Sequence, residues 1–187
     1  MGRWEPGAGD RLREAALNLY LERGFDQTMV NDIAARAGVT ARTFFRHFAD
    51  KREVLFDAAA EVEKKSLAAL EGAPATTSAL DLVAAALEAV ADIVGRDREI
   101  ARIRRTVIMA NADLRERELI KHAQMTAVLA DGLRRRGIGD AEVELAAETG
   151  SAVYRVAFRR WVDDGDLDLC EALDQSFARL RTLIAAG

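Results

Sequence analysis

Cysteine, histidine and proline are nearly missing from this chain of 187 residues. Its one cysteine, Cys170, cannot close an internal disulfide and leaves no cysteine cluster for a metal. The two histidines, His47 and His122, stand in no His-Glu-x-x-His or Glu-x-x-His arrangement, so helix-borne zinc and di-iron sites lack their usual ligands. The two prolines are Pro6 and Pro74, and none follows in the remaining 113 residues. That scarcity, beside 36 alanines, favours helix throughout. No uncharged apolar run approaches the roughly 18–20 residues of a membrane span. Nothing near Met1 has the charge, apolar stretch and cleavage pattern of a secretory signal. Gly7-Ala8-Gly9 and Gly137-Ile138-Gly139 lack the rest of any phosphate-binding fingerprint. The expectation is a cytoplasmic, all-α protein with no membrane association, no cofactor, no metal and no catalytic residues.

Half of the residues are apolar, enough for a real core and too many for wholesale disorder. The net charge of −4 argues against indiscriminate coating of nucleic acid. The charge is uneven, however. Residues 1–52 carry a balance of +2 and the remainder −6. A basic end on an acidic body suits a chain that offers one end to a polyanion.

Apolar spacing and end signals divide the chain into about nine helices. Residues 1–9 read as a flexible arm. Asp10 starts a helix with Leu12, Ala15, Ala16, Leu19 and Tyr20 on one face, and Gly24 ends it. Thr28 is the expected N-cap of a second helix, closed by Gly38, and Thr40 caps a short third helix to Phe48. Asp50-Lys51-Arg52-Glu53 fits a capping box, predicting a fourth helix from there toward Leu70. After the loop Gly72–Thr77, five helices are expected at 78–94, 96–109, 112–136, 140–163 and 168–185.

The three short helices between Asp10 and Phe48, with a tight turn at Gly38-Val39, have the proportions of a helix-turn-helix unit. In such a unit the second helix crosses the DNA backbone and the third enters the major groove. Residues 10–56 resemble the TetR family of bacterial transcription regulators. The resemblance is carried by RLREAALNLYLERGFDQT, by Thr28–Phe48 (TMVNDIAARAGVTARTFFRHF) and by Asp50–Leu55. Within that family, Gly2–Pro6 and Arg42–Phe45 are similar to actinobacterial members, including mycofactocin-associated regulators.

The resemblance implies a helix-turn-helix DNA-binding domain at 10–56 and an effector-binding and dimerisation domain at 57–187. It further implies a ligand-responsive repressor, released from a palindromic double-stranded DNA operator by a small molecule. Carried over by position, Thr28, Thr40, His47 and Lys51 are phosphate contacts, and Ala41, Arg42 and Thr43 face the groove. Arg42 is the best base reader, since a guanidinium bonds both O6 and N7 of guanine. Phe45 stands where the family usually has tyrosine, so a hydroxyl commonly used on phosphate is absent. Phe44 and Phe48, four apart, are expected to hold the third helix to the first two. Arg46 reads as a solvated charge.

For the body, Ile103, Val107, His122, Met125, Tyr154, Phe158 and Trp161 are the candidate effector pocket, an apolar wall with a few polar tips. The arginines on nearby helices suit an anionic amphipathic or aromatic ligand. Ala146 and Gly150 form a small-residue face that serves either a homodimer contact or internal packing. Leu173, Phe177, Leu180 and Ile184 make an apolar stripe, expected to pack partly within the chain and partly across a two-fold axis. The alternative to a regulator is an all-helical ligand carrier without DNA binding.

Overall fold

A computed structural model describes residues 7–186. Most of the expected arm, Met1–Pro6, lies outside the described residues. The described residues form nine α-helices: α1 (Ala8–Arg23), α2 (Val30–Arg36), α3 (Ala41–His47), α4 (Ala59–Gly72), α5 (Ala79–Val94), α6 (Arg98–Ala110), α7 (Ala112–Arg135), α8 (Asp140–Asp163) and α9 (Leu169–Ala185). The described residues contain no strand, so the all-α expectation holds.

Local chemistry sets most helix ends. Ser78 Oγ accepts the Asp81 N–H at 3.2 Å at the start of α5. Asp168 accepts the N–H groups of Cys170 and Glu171 at the start of α9. Gly24, at φ +84°, ends α1 in a conformation that side chains disfavour. Three boundaries differ from expectation. Helix α1 begins at Ala8, because the Gly7 carbonyl already accepts the Arg11 N–H. The N-cap of α2 is Met29 rather than Thr28. No helix runs on from Asp50 either. A 3₁₀ turn occupies Glu53–Phe56, and α4 starts three residues later. The Leu55 N–H donates to the Arg52 carbonyl three residues back, the bond of a 3₁₀ turn, and Val54, Leu55 and Phe56 are all buried.

The chain divides into two compact units. The first comprises the residues up to Asp57 together with Arg102–Arg117. Its core gathers Leu12, Ala16, Leu19 and Tyr20 of α1, Ile33 of α2, Phe44 and Phe48, the 3₁₀ turn, and Val107, Ile108 and Leu114. The second comprises Ala58–Ala101 and the residues from Glu118 onward. There α5, the most apolar helix, packs against α4, α8 and α9. Each fully buried leucine or valine contributes about 1.5–3 kcal/mol relative to exposure.

Two arginines close the loops of the second unit. Arg136 donates to the carbonyls of Glu71, Ala73 and Pro74, which holds the loop after α4. Arg98 donates to the carbonyls of Gly165 and Leu167 between α8 and α9. Its guanidinium lies 5.5 Å from the Trp161 ring centroid.

Candidate nucleic-acid interface

The turn between α2 and α3 depends on Gly38, which sits at φ +69°. A side chain there would strain the backbone. The chain then doubles back: Gly38 N–H donates to the Ala35 carbonyl and Val39 N–H to the Ala34 carbonyl. Val39, half-buried, packs against the core of this unit. Thr40 caps α3 as expected, its hydroxyl accepting the Thr43 N–H at 3.3 Å. Phe44 is fully buried and Phe48 nearly so, with ring centroids 5.5 Å apart. These two rings fix α3 to the body of the unit.

Helix α2 is held to α1 by polar contacts that the sequence pattern did not disclose. Arg36 pairs with Glu22 through two 2.9 Å hydrogen bonds, and this pairing holds the Glu22 carboxyl below its ordinary range. Arg11 Nε donates to the Ala37 carbonyl at the end of α2. On the first unit, Arg13, Arg23, Arg52 and Arg117 are likewise paired with carboxylates. Arg42 and Arg46 are the contrast. Among the described residues neither side chain makes a hydrogen bond or ion pair, and both are exposed on α3. Arg46, read from sequence as a mere surface charge, therefore stands beside Arg42 as an unpaired guanidinium. Its signal was its place four residues on, one turn along the same face.

The other candidate contacts occupy several kinds of place. Thr40 is exposed, Ala41 and Thr43 are half-buried, and Phe45 and His47 are exposed. The His47 ring lies against Gly9 of α1, close enough that a Cβ there would meet Nδ1 at 3.4 Å. Thr28 is 0 % exposed. Its hydroxyl donates to the carbonyls of Gly24 and Leu19 at 2.9 and 3.3 Å. Lys51 Nζ donates to three carbonyls, of Phe25, Asp26 and Thr28, and lies 4.4 Å from the Phe25 ring centroid. Partial burial lowers its pKa. The Tyr20 hydroxyl donates to the Lys51 carbonyl at 2.6 Å, and burial pushes that phenol upward. Thr28 and Lys51 thus come together as parts of the support under α2 and α3.

Residues 12–59 match the bacterial regulatory proteins of the tetR family, and residues 77–185 match the MftR C-terminal domain. TcmR of Streptomyces glaucescens, an HTH-type transcriptional regulator, is 35 % identical over 90 % of this chain and 78 % of its own length. The chain belongs to the TetR family. It is therefore a DNA-binding transcription regulator and not an enzyme, which decides against the helical carrier. MftR of Mycobacterium tuberculosis, designated a mycofactocin biosynthesis transcriptional regulator, is 26 % identical over 95 % of this chain and 91 % of its own. In fold, the regulator resembles FadR of Bacillus subtilis, solved with stearoyl-CoA. That likeness has a TM-score of 0.60 at 20 % identity, covering 89 % and 94 % of the two chains.

The residues nominated for the body are divided between the units. Val107 lies in the core of the first, and Ile103 packs against that core. His122, Met125, Tyr154, Phe158 and Trp161 belong to the second. There Tyr154, Phe158 and Trp161 form an aromatic ladder along α8, with centroids 6.2 and 5.6 Å apart. Hydroxyls stand among the apolar residues: Ser66 contacts the Met125 sulfur at 4.0 Å, and Thr126 meets Ser151 at 2.7 Å.

Gly150 faces α5. A Cβ on it would lie 2.1 Å from Val83 Cγ1, so its smallness serves packing inside the chain. Ala146 is buried as well. Leu173 and Phe177 are core residues, Leu180 is half-buried, and Ile184 is exposed. Cys170 is half-buried beside Asp92, and burial with the neighbouring carboxylates pushes its thiol up to about 11. Among the described residues, no His, Cys, Asp and Glu group of three could hold a metal ion. No helix among them is long and apolar enough to cross a membrane.

Proposed function

We propose that this regulator is a cytoplasmic, homodimeric repressor that leaves a palindromic operator when a small effector binds. The observation that carries the DNA reading is the pair of unpaired guanidiniums, Arg42 and Arg46, on the one helix whose buried face is fully spent on Phe44. Arg42 bonds a guanine edge in the major groove, and Arg46 adds either a second base contact or a phosphate contact. Thr40, Ala41 and Thr43 line the entering end of α3, while His47 at its far end meets the backbone. Thr28 and Lys51 act from beneath by holding the segment before α2. A two-fold dimer presents two such helices to related half-sites one helical turn apart.

The effector is an anionic amphipathic or aromatic molecule. The stearoyl-CoA in the B. subtilis relative belongs to that class, and the Met125–Tyr154–Phe158 group offers this chain an apolar surface with hydroxyls close by. Release requires that the effector bind the DNA-incompetent form more tightly, and operator DNA then weakens effector binding by the same factor. Selection from random duplex DNA tests the first part, with an enriched two-fold motif expected. A titration of that motif with acyl thioesters tests the second.

A further inference from the structure

We infer that Phe45 reads the methyl group of a thymine in the operator half-site, one or two base steps from the guanine met by Arg42. This rests on the DNA reading of α3 proposed above. Phe45 is 58 % exposed, and among the described residues it is the only aromatic side chain in the open. The other rings, from Tyr20 to Phe177, are buried or half-buried. Keeping a phenyl ring in water forgoes the stabilisation its burial gives elsewhere, so this ring is either tolerated or used.

Its geometry favours use. The ring stands edge-on to Phe44, with centroids 5.5 Å apart and planes at 86°, and Phe44 is fully buried. Phe45 is thus a propped apolar projection rather than a loose side chain. It shares a helix face with Arg42, three residues earlier. Three residues advance about 4.5 Å along a helix axis. Successive bases are about 3.4 Å apart, so the two side chains address positions one or two steps apart. A phenyl ring has no donor for a phosphate and none for the polar edges of guanine, adenine or cytosine. The one apolar feature in the major groove is the thymine C5 methyl, which phenylalanine complements.

The test replaces each thymine of the selected half-site in turn with deoxyuridine, which removes only the methyl group. Binding of the full-length protein is followed by fluorescence anisotropy at fixed salt. One replacement, near the guanine whose contribution vanishes in Arg42→Ala, is expected to weaken binding about threefold to fivefold, the worth of one buried methyl. Phe45→Ala should bind the thymine and uracil duplexes equally, whereas Phe45→Leu, still apolar, should keep part of the difference. Both substitutions lie at an exposed position, and an unchanged melting temperature verifies the fold. Uniform insensitivity of the wild type to uracil, or undiminished sensitivity in Phe45→Ala, overturns this inference and leaves the DNA reading standing. Failure to select any motif overturns both.

Discussion

The ammonium group of Lys51 donates to the carbonyl oxygen of Thr28 at 2.9 Å, while the Thr28 hydroxyl donates to the Gly24 carbonyl at the same distance. Both donors point inward, and they fasten one segment, Gly24–Thr28, from two sides. The Tyr20 hydroxyl secures the Lys51 backbone in turn. The approach to α2 therefore hangs on a lysine 23 residues further along the chain.

Lys51→Ala should therefore act on the fold before it acts on DNA. Losing three carbonyl contacts from one ammonium is expected to cost about 1–3 kcal/mol of stability in the first unit. Amide exchange in Gly24–Thr28 as a function of denaturant measures this. A direct phosphate contact predicts something else, a shallower dependence of DNA affinity on salt. With Lys51 committed to carbonyls, the salt slope of the folded variant should match that of the wild type.

Arg42→Ala leaves stability untouched, because no described residue partners that guanidinium. It should lose about 1–3 kcal/mol at one base position and accept other bases there. Repeating the random-sequence selection with the variant shows whether that column of the motif flattens. Retention of the wild-type preference would remove Arg42 as a base reader.

What could be read from the sequence was local. Thr40 as a cap and Gly38 as a turn involve neighbours within a few residues, and both appear as expected. Thr28 and Lys51 were assigned to phosphate by resemblance, and their supporting roles were not legible, because Lys51 reaches carbonyls 23 to 26 residues back and the Thr28 hydroxyl turns into the core. The same holds for Gly150. Small residues at four-residue spacing announce a close approach without naming the partner, which is Val83 on α5. Periodicity showed that Leu173, Phe177, Leu180 and Ile184 share a face. Only the packing of α9 against α5 and α8 shows that the face is buried at one end and bare at the other.

Gly150→Ala tests the internal packing. The added methyl would fall 2.1 Å from Val83 Cγ1, and a β-branched side chain has no free rotamer to retreat to. Overpacking of this kind costs about 1–3 kcal/mol, reduced by the better helix propensity of alanine. Val83→Ala in the same chain should recover most of the loss. Melting temperatures of the four combinations give the coupling, and additive losses would mean that the two residues do not meet.

Acid should weaken the second unit through Asp81. Its carboxylate accepts from Ser78 Oγ at 2.6 Å and from Arg181 of α9, and these bonds hold its pKa below the ordinary 3.8. A carboxylate with a depressed folded pKa stabilises the fold fully above its unfolded value, and that contribution is lost as pH falls through the folded one. Stability should thus be flat in this respect down to about pH 4 and decline below it. In Asp81→Asn that part of the decline should disappear. Denaturant midpoints from pH 3 to 7 for the two proteins decide it.

The bare end of α9 is where dimerisation is best tested. Leu183 and Ile184 are 74 % and 68 % exposed, and on α8 Leu145 and Val156 are exposed on a common face with Ala152. Side chains of this size are worth about 1.5–3 kcal/mol each when buried, enough together to drive association against its entropic cost. The double substitution Leu183→Glu/Ile184→Glu should yield folded monomers, since neither residue supports the chain's own core. Phe177→Glu should instead unfold the second unit, because Phe177 is buried among α5, α8 and α9. Light scattering at micromolar concentration, with circular dichroism on the same samples, separates the two outcomes. A single-chain mass for the wild type would overturn the dimer, and with it the expectation of a two-fold operator.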